Sequence, residues 1–162
     1  MYKYFHVIGL QRSGTSWLRE LILKNFDVKE KETFWKHQTP LGVKPKYKHQ
    51  RFNLSNFDLD QNTFYIVTQK DYSQWVESIH RKKVDTYKRH NASSLAEIYC
   101  SWDKWNNSNL NLTNYYFKSY NKWFHKWTTY FKEIETITGW NRKFTKFENV
   151  EIVPRSLQSN LD

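Results

Sequence analysis

One cysteine, Cys100, stands in 162 residues. That excludes an intramolecular disulfide and any metal site built on several thiolates, and a solitary thiol is expected to be a small, inert core residue. No run of about 18 apolar residues occurs, so a helical membrane span is excluded. No charged-then-apolar leader precedes the first β-prone stretch, so no secretory signal is expected and a cytoplasmic, reducing setting follows. In that setting the N-x-[ST] triplets at Asn53, Asn91, Asn106 and Asn111 read as by-products of an Asn-rich composition rather than as glycan sites. Glycine and proline are scarce, at four and three, so each marks a place where the backbone must do something special. Acidic side chains are also few, 16 against 26 Lys and Arg, for a net charge of +10. Such a balance attracts an anionic cofactor, attracts nucleic acid, or merely aids solubility, and charge alone does not separate these. The densest basic run, Lys44, Lys46, Lys48, His49 and Arg51, follows Pro40 and Gly42, contains Pro45 and reads as a solvated loop, with polyanion binding as the minority reading.

What is abundant is aromatic surface: 19% of residues are Phe, Trp or Tyr, eight of them Trp. The length suits a single domain, placed at residues 1–150 with a tail at 151–162. Tyr4 to Ile8 is β-branched and aromatic without a breaker, a first strand. Trp17, Leu18, Leu21 and Ile22 fall at helical spacing behind it. Asp27 to Glu32 reads as a turn, Thr33 to Lys36 as a second strand, and residues 41–62 as irregular. Thr63 to Thr68 is the next clear strand. A helix follows from Tyr72 to about Val84, and another from Ser94, as its cap, to about Trp105. Asn106 to Asn114 breaks that helix. Tyr116, Tyr120, Trp123, Trp127, Tyr130 or Phe131, Ile134 and Ile137 then recur every three or four residues, which predicts one long helix over 113–138, packed on the sheet and ended by Gly139. Lys143 to Phe147 reads as a last strand. Strands alternating with helices predict an α/β fold with a parallel sheet.

The chemistry concentrates at Gly9-Leu10-Gln11-Arg12-Ser13-Gly14-Thr15-Ser16-Trp17. A strand, a glycine-bearing loop and a helix start form the layout of a phosphate-binding loop, in which backbone amides and the helix N-terminus converge on an anion. The nucleoside-triphosphatase pattern G-x-x-x-x-G-K-[ST] needs Lys after its second glycine. Here Thr15 stands there, and the cation sits inside the loop as Arg12. The loop can cradle a phosphate but is poorly equipped for a γ-phosphate.

Gln11 to Leu18 resembles the 5′-phosphosulfate loop of sulfotransferases, P-[KR]-S-G-T-[TS]-[WFL]-L, with Gln11 where Pro is usual. That family uses 3′-phosphoadenosine 5′-phosphosulfate (PAPS) and releases PAP. The resemblance implies a P-loop-type, sulfotransferase-like parallel sheet flanked by helices. It implies that Arg12, Ser13, Gly14, Thr15 and Ser16 hold the 5′-phosphate and that Trp17 stacks on adenine. It also implies a second signature, R-[DN]-P-x-x-x-x-x-S, for the 3′-phosphate. Lys70-Asp71-Tyr72 with Ser78 has that spacing between a strand and a helix. Lys replaces Arg, keeping charge but losing the bidentate fork, and Tyr72 replaces Pro. Lys36-His37-Gln38-Thr39-Pro40 resembles the family's K-x-H-x-P with His one position early. His37 is then the candidate base, suited by a pKa near neutrality, and Lys36 a candidate for the sulfuryl oxygens. Lys146 to Val150 weakly resembles the late R-Y-E-D-L segment. The C-terminal R-K-G phosphate segment is missing, with Arg142-Lys143 as the nearest substitute.

The resemblance therefore implies transfer of a sulfuryl group to a hydroxyl or amine of a small-molecule or glycan acceptor, with no metal and no membrane. Two other classes stay open. One is a phosphotransferase on the same loop, which the missing Lys disfavours. The other is a non-catalytic protein binding nucleotide, nucleic acid or glycan on a basic aromatic surface, with nucleic acid the less favoured. The acceptor and the oligomeric state are not readable.

Overall fold

A computed structural model describes residues 1–37, 59–82 and 91–151. Four parallel strands form one sheet: β1 (Tyr4–Ile8), β2 (Lys29–Glu30), β3 (Thr63–Gln69) and β4 (Tyr115–Ser119), in the spatial order β2-β1-β3-β4. The helices are α1 (Thr15–Asn25), α2 (Tyr72–Arg81), α3 (Ala92–Asn109) and α4 (Tyr120–Thr138). The α/β class and the parallel sheet expected from the sequence are present. None of the helices among the described residues is long and apolar enough to cross a membrane.

Period-two alternation divides β1 and β3 between two cores. Phe5, Val7, Phe64 and Ile66 meet Leu18, Leu21 and Ile22 of α1 and Trp123, Phe131 and Ile134 of α4 on one face. Ile8, Tyr65 and Val67 meet Trp75 and Ile79 of α2 and Leu95, Ile98, Trp102 and Trp105 of α3 on the other. Every residue of β3 is buried, as expected of a parallel strand covered on both faces. Four tryptophans, Trp75, Trp102, Trp105 and Trp123, are fully buried, so the aromatic excess is spent largely on these two layers.

Several expectations are corrected. The second strand is not Thr33 to Lys36. It is the two-residue β2, paired with Tyr4 and Phe5. Phe34 leaves the sheet to stack on the Tyr65 ring at 6.0 Å, capping the second core. The long helix over 113–138 is a strand followed by a helix. Asn114 pins the strand start by donating to the carbonyls of Asp60 and Thr63 at 3.1 and 3.2 Å. Three consecutive aromatics then favour extended chain, and Tyr115 and Tyr116 point into opposite cores. The cap of α3 is Asn91, whose side chain accepts from the Ser94 amide at 2.9 Å, not Ser94. The Asn-rich stretch does not stop this helix at Trp105, because Asn106 is buried between Gln69 (2.5 Å) and the Tyr115 hydroxyl (2.6 Å). Lys143 to Phe147 is no strand; only a Phe26–Arg142 bridge forms there. Cys100 is exposed rather than in the core. Gly139 does end α4, with φ of 70° and its amide on the Glu135 carbonyl at 2.8 Å. The helix expected from Tyr72 to about Val84 ends at Arg81, with Lys82 as its cap, and the run 44–51 and most of the 151–162 tail lie outside the described residues.

Candidate anion-binding site

From β1 the chain runs through α1 to β2 on one side, while β3 lies on the other. The strand order reverses between β1 and β3, and in open α/β sheets ligands bind at the carboxyl ends of strands flanking such a reversal. The segments leaving those two ends are Gly9 to Gly14 and Lys70-Asp71. Both families of candidate residues therefore arise at one place, for a topological reason.

The loop is tied down from several directions. Gly9 carries no side chain because a Cβ there would sit 2.4 Å from the Thr68 carbonyl oxygen. Its amide donates to the Lys36 carbonyl at 3.0 Å, and its own carbonyl accepts from His37 Nδ1 at 2.8 Å. The Gln11 carbonyl accepts from Trp75 Nε1 at 2.8 Å, and the Ser13 carbonyl from Thr68 Oγ1 at 3.0 Å. Ser13 Oγ donates to the Leu10 carbonyl at 2.5 Å. These bonds consume carbonyls and leave amides. Leu18 N–H makes the first intrahelical bond, to Gly14 at 3.0 Å. Ahead of it, among the described residues, the amides of Gly14, Thr15 and Ser16 find no backbone acceptor, as the start of a helix requires. No side chain caps α1 and no acidic residue sits in its first turn. Its positive end is thus left for something else.

Arg12 stands at φ 68°, in the left-handed region, the one non-glycine residue to do so among the described residues. Its Nε donates to Ser78 Oγ at 3.4 Å, so the loop and the middle of α2 meet. Its Nη2 is buried without a hydrogen-bond partner among the described residues. A buried guanidinium nitrogen without an acceptor is costly, and an anion in the loop would supply one. Lys36 Nζ reaches Ser16 Oγ at 3.2 Å, and burial holds its pKa below the usual lysine value. Because the Gly9 carbonyl takes the Nδ1 proton, His37 keeps its lone pair on Nε2. Burial pushes the His37 pKa down to about 4, against the opposing pull of that carbonyl, so the imidazole is neutral at pH 7. Lys70 Nζ lies over the Tyr120 ring, 4.7 Å from its centroid. Burial, with Arg81 nearby, lowers its pKa.

Of the sequence-derived candidates, Arg12 and Ser78 touch, Lys36 and Ser16 touch, and His37 grips the loop at Gly9. Trp17 is half-buried against the first core and tilted on Phe124 at 5.9 Å, so packing already engages its ring. Arg142 and Lys143 do not serve this site. Arg142 pairs with Glu135 (2.5 and 2.9 Å) and stacks on Phe147, while Lys143 donates to the Leu23 carbonyl at 2.9 Å. Both lie at the far end of α1, about 16 Å along the helix from the loop. Tyr120, hidden in the sequence inside an apparent helix stripe, is the unforeseen neighbour. A Cβ at Gly14, whose φ is 86°, would come within 2.7 Å of its ring. The described residues contain no group of three His, Cys, Asp or Glu side chains placed to hold a metal ion.

Comparison of the chain with family models, with curated proteins and with solved structures gave no match.

Proposed function

We propose that this chain is a sulfotransferase that moves a sulfuryl group from PAPS to a hydroxyl or amine of an acceptor. The observation that carries the reading is the Arg12–Ser78 contact, which joins the loop half of the resemblance to the Lys70/Ser78 half at the sheet's reversal point. The residues present fit a ligand with two phosphate groups. Open amides at 14–16 with Arg12 form one cationic donor set, and the resemblance assigns Lys70 and Ser78 to the second phosphate. PAPS, when bound, supplies the sulfuryl group and a phosphate leaving group. With PAPS bound, Arg12 and the loop amides would stabilise negative charge on its phosphate leaving group, and being fixed in advance they would need no reorganisation. His37 Nε2, which keeps its lone pair, is the proposed acceptor of the substrate proton, and Lys36 Nζ sits beside Ser16 of the loop.

Calorimetry with PAP, AMP and ATP tests the cofactor. Binding of PAP well above the other two is expected, and equal binding of all three overturns the reading. A protein that holds PAP without turnover is the second reading, favoured by the His37 pKa of about 4, which makes a weak base. Release of PAP from PAPS in the presence of an acceptor panel separates the two.

A further inference from the structure

We propose that Tyr120 is a positioning residue of the anion site: its ring fixes the Gly14 turn and the Lys70 ammonium to one another, so that loop and cation meet a ligand as a unit. Strand register puts it there. Gln69 and Ser119 are partners at the ends of β3 and β4, so the next residues, Lys70 and Tyr120, emerge side by side. The ring packs onto Gly14 so closely that a Cβ would fall 2.7 and 2.8 Å from two of its carbons. Above it lies Lys70 Nζ, 4.7 Å from the centroid. Phe124, one turn on, stacks on the same ring at 6.0 Å and itself leans on Trp17 at 5.9 Å, which holds the tyrosine in place.

The hydroxyl of Tyr120 makes no hydrogen bond among the described residues, so the aromatic face is the working part. A π face offsets part of the cost of half-burying an ammonium and leaves its N–H donors free for an anion. A salt bridge would not leave them free, because a carboxylate there would occupy the donors and repel the ligand. Lys70 has no acidic partner within salt-bridge distance among the described residues.

The proposal rests on the preceding reading only for the identity of the ligand. Tyr120→Phe and Tyr120→Leu are compared with the wild type by titration with PAP and with inorganic phosphate, and the Lys70 Hε resonance is followed by NMR. In the wild type that resonance is shifted upfield by the ring. Tyr120→Phe keeps both the shift and the affinity. Tyr120→Leu, similar in bulk but without the face, returns the shift to the solvated value and weakens anion binding roughly tenfold. A leucine variant that binds as the wild type does, or a wild-type Lys70 without the shift, overturns the proposal. Phosphate binding that depends on Tyr120 without PAP binding overturns the PAPS reading alone. Failure of both ligands to bind the wild type overturns both.

Discussion

Replacing Arg12 by glycine and, separately, by alanine separates the backbone cost of the loop from its chemistry. Both variants remove the guanidinium, its bond to Ser78 and its buried Nη2. They differ only in what the backbone at φ 68° tolerates. An L-residue in the left-handed region costs about 1–2 kcal/mol, and glycine escapes that while losing about 0.5–1 kcal/mol more chain entropy on folding. The glycine variant should therefore be the more stable by about 0.5–1 kcal/mol. That is the reverse of the order expected at an ordinary helix or strand position. Urea unfolding measures this as a higher midpoint at unchanged slope; with a slope of about 2 kcal/mol/M the separation is about 0.25–0.5 M. Both variants should lose PAP binding while remaining folded. An alanine variant as stable as the glycine one would falsify the strained-loop account, and full PAP affinity in either would remove Arg12 from the site.

Three further outcomes are expected. Ser78→Ala removes the 3.4 Å contact with Arg12 from a buried position and should cost about 0.5–1.5 kcal/mol of stability. It should weaken PAP roughly tenfold and leave AMP nearly unchanged; equal losses for both nucleotides would detach Ser78 from the 3′-phosphate. Gly9→Ala drives a Cβ to 2.4 Å from the Thr68 carbonyl oxygen and should destabilise by about 1–3 kcal/mol, read as a lower melting temperature. A melting point unchanged from wild type contradicts that close approach. The buried histidines set an acid limit. His6, with both ring nitrogens unpartnered among the described residues, is pushed by burial to about 3, and His37 to about 4. Both lie below the ordinary 6.5, so the unfolded chain binds more protons. Their contribution to stability is full above about pH 6.5 and is lost as pH falls through about 4 and then 3. His6→Leu should flatten this loss, seen in melts at pH 7 and pH 5, and parallel profiles for variant and wild type would refute it.

The elements legible in the sequence are those whose apolar pattern has one interpretation. β1, the glycine loop, α1, β3 and α2 stand where breakers and periodicity put them. β4 was not legible, because Tyr116, Tyr120 and Trp123 satisfy helical spacing although a strand ends between the first two. No glycine or proline marks that junction; the extended Ser119, ψ 154°, does. β2 is too short to carry a pattern. Arg12, Ser78, Lys36 and His37 are named by the resemblance to the sulfotransferase signatures. Tyr120 is not, because its place depends on the pairing of Gln69 with Ser119, a long-range fact. The basic pair Arg142-Lys143 misled for the same reason, since charge in sequence says nothing about the partner that absorbs it.

The central pair of the sheet joins Tyr4 to Thr63 and Ile8 to Val67, and the ring that packs on Gly14 is first reached at Tyr120. Closing such loops costs chain entropy before any contact repays it. A ribosome-bound chain that stops short of β4 has the glycine loop but neither the β3–β4 pairing nor the ring that braces Gly14. Affinity for an anion at the proposed site would thus await the β3–β4 pairing rather than follow from the motif, and a peptide spanning the motif alone should bind weakly.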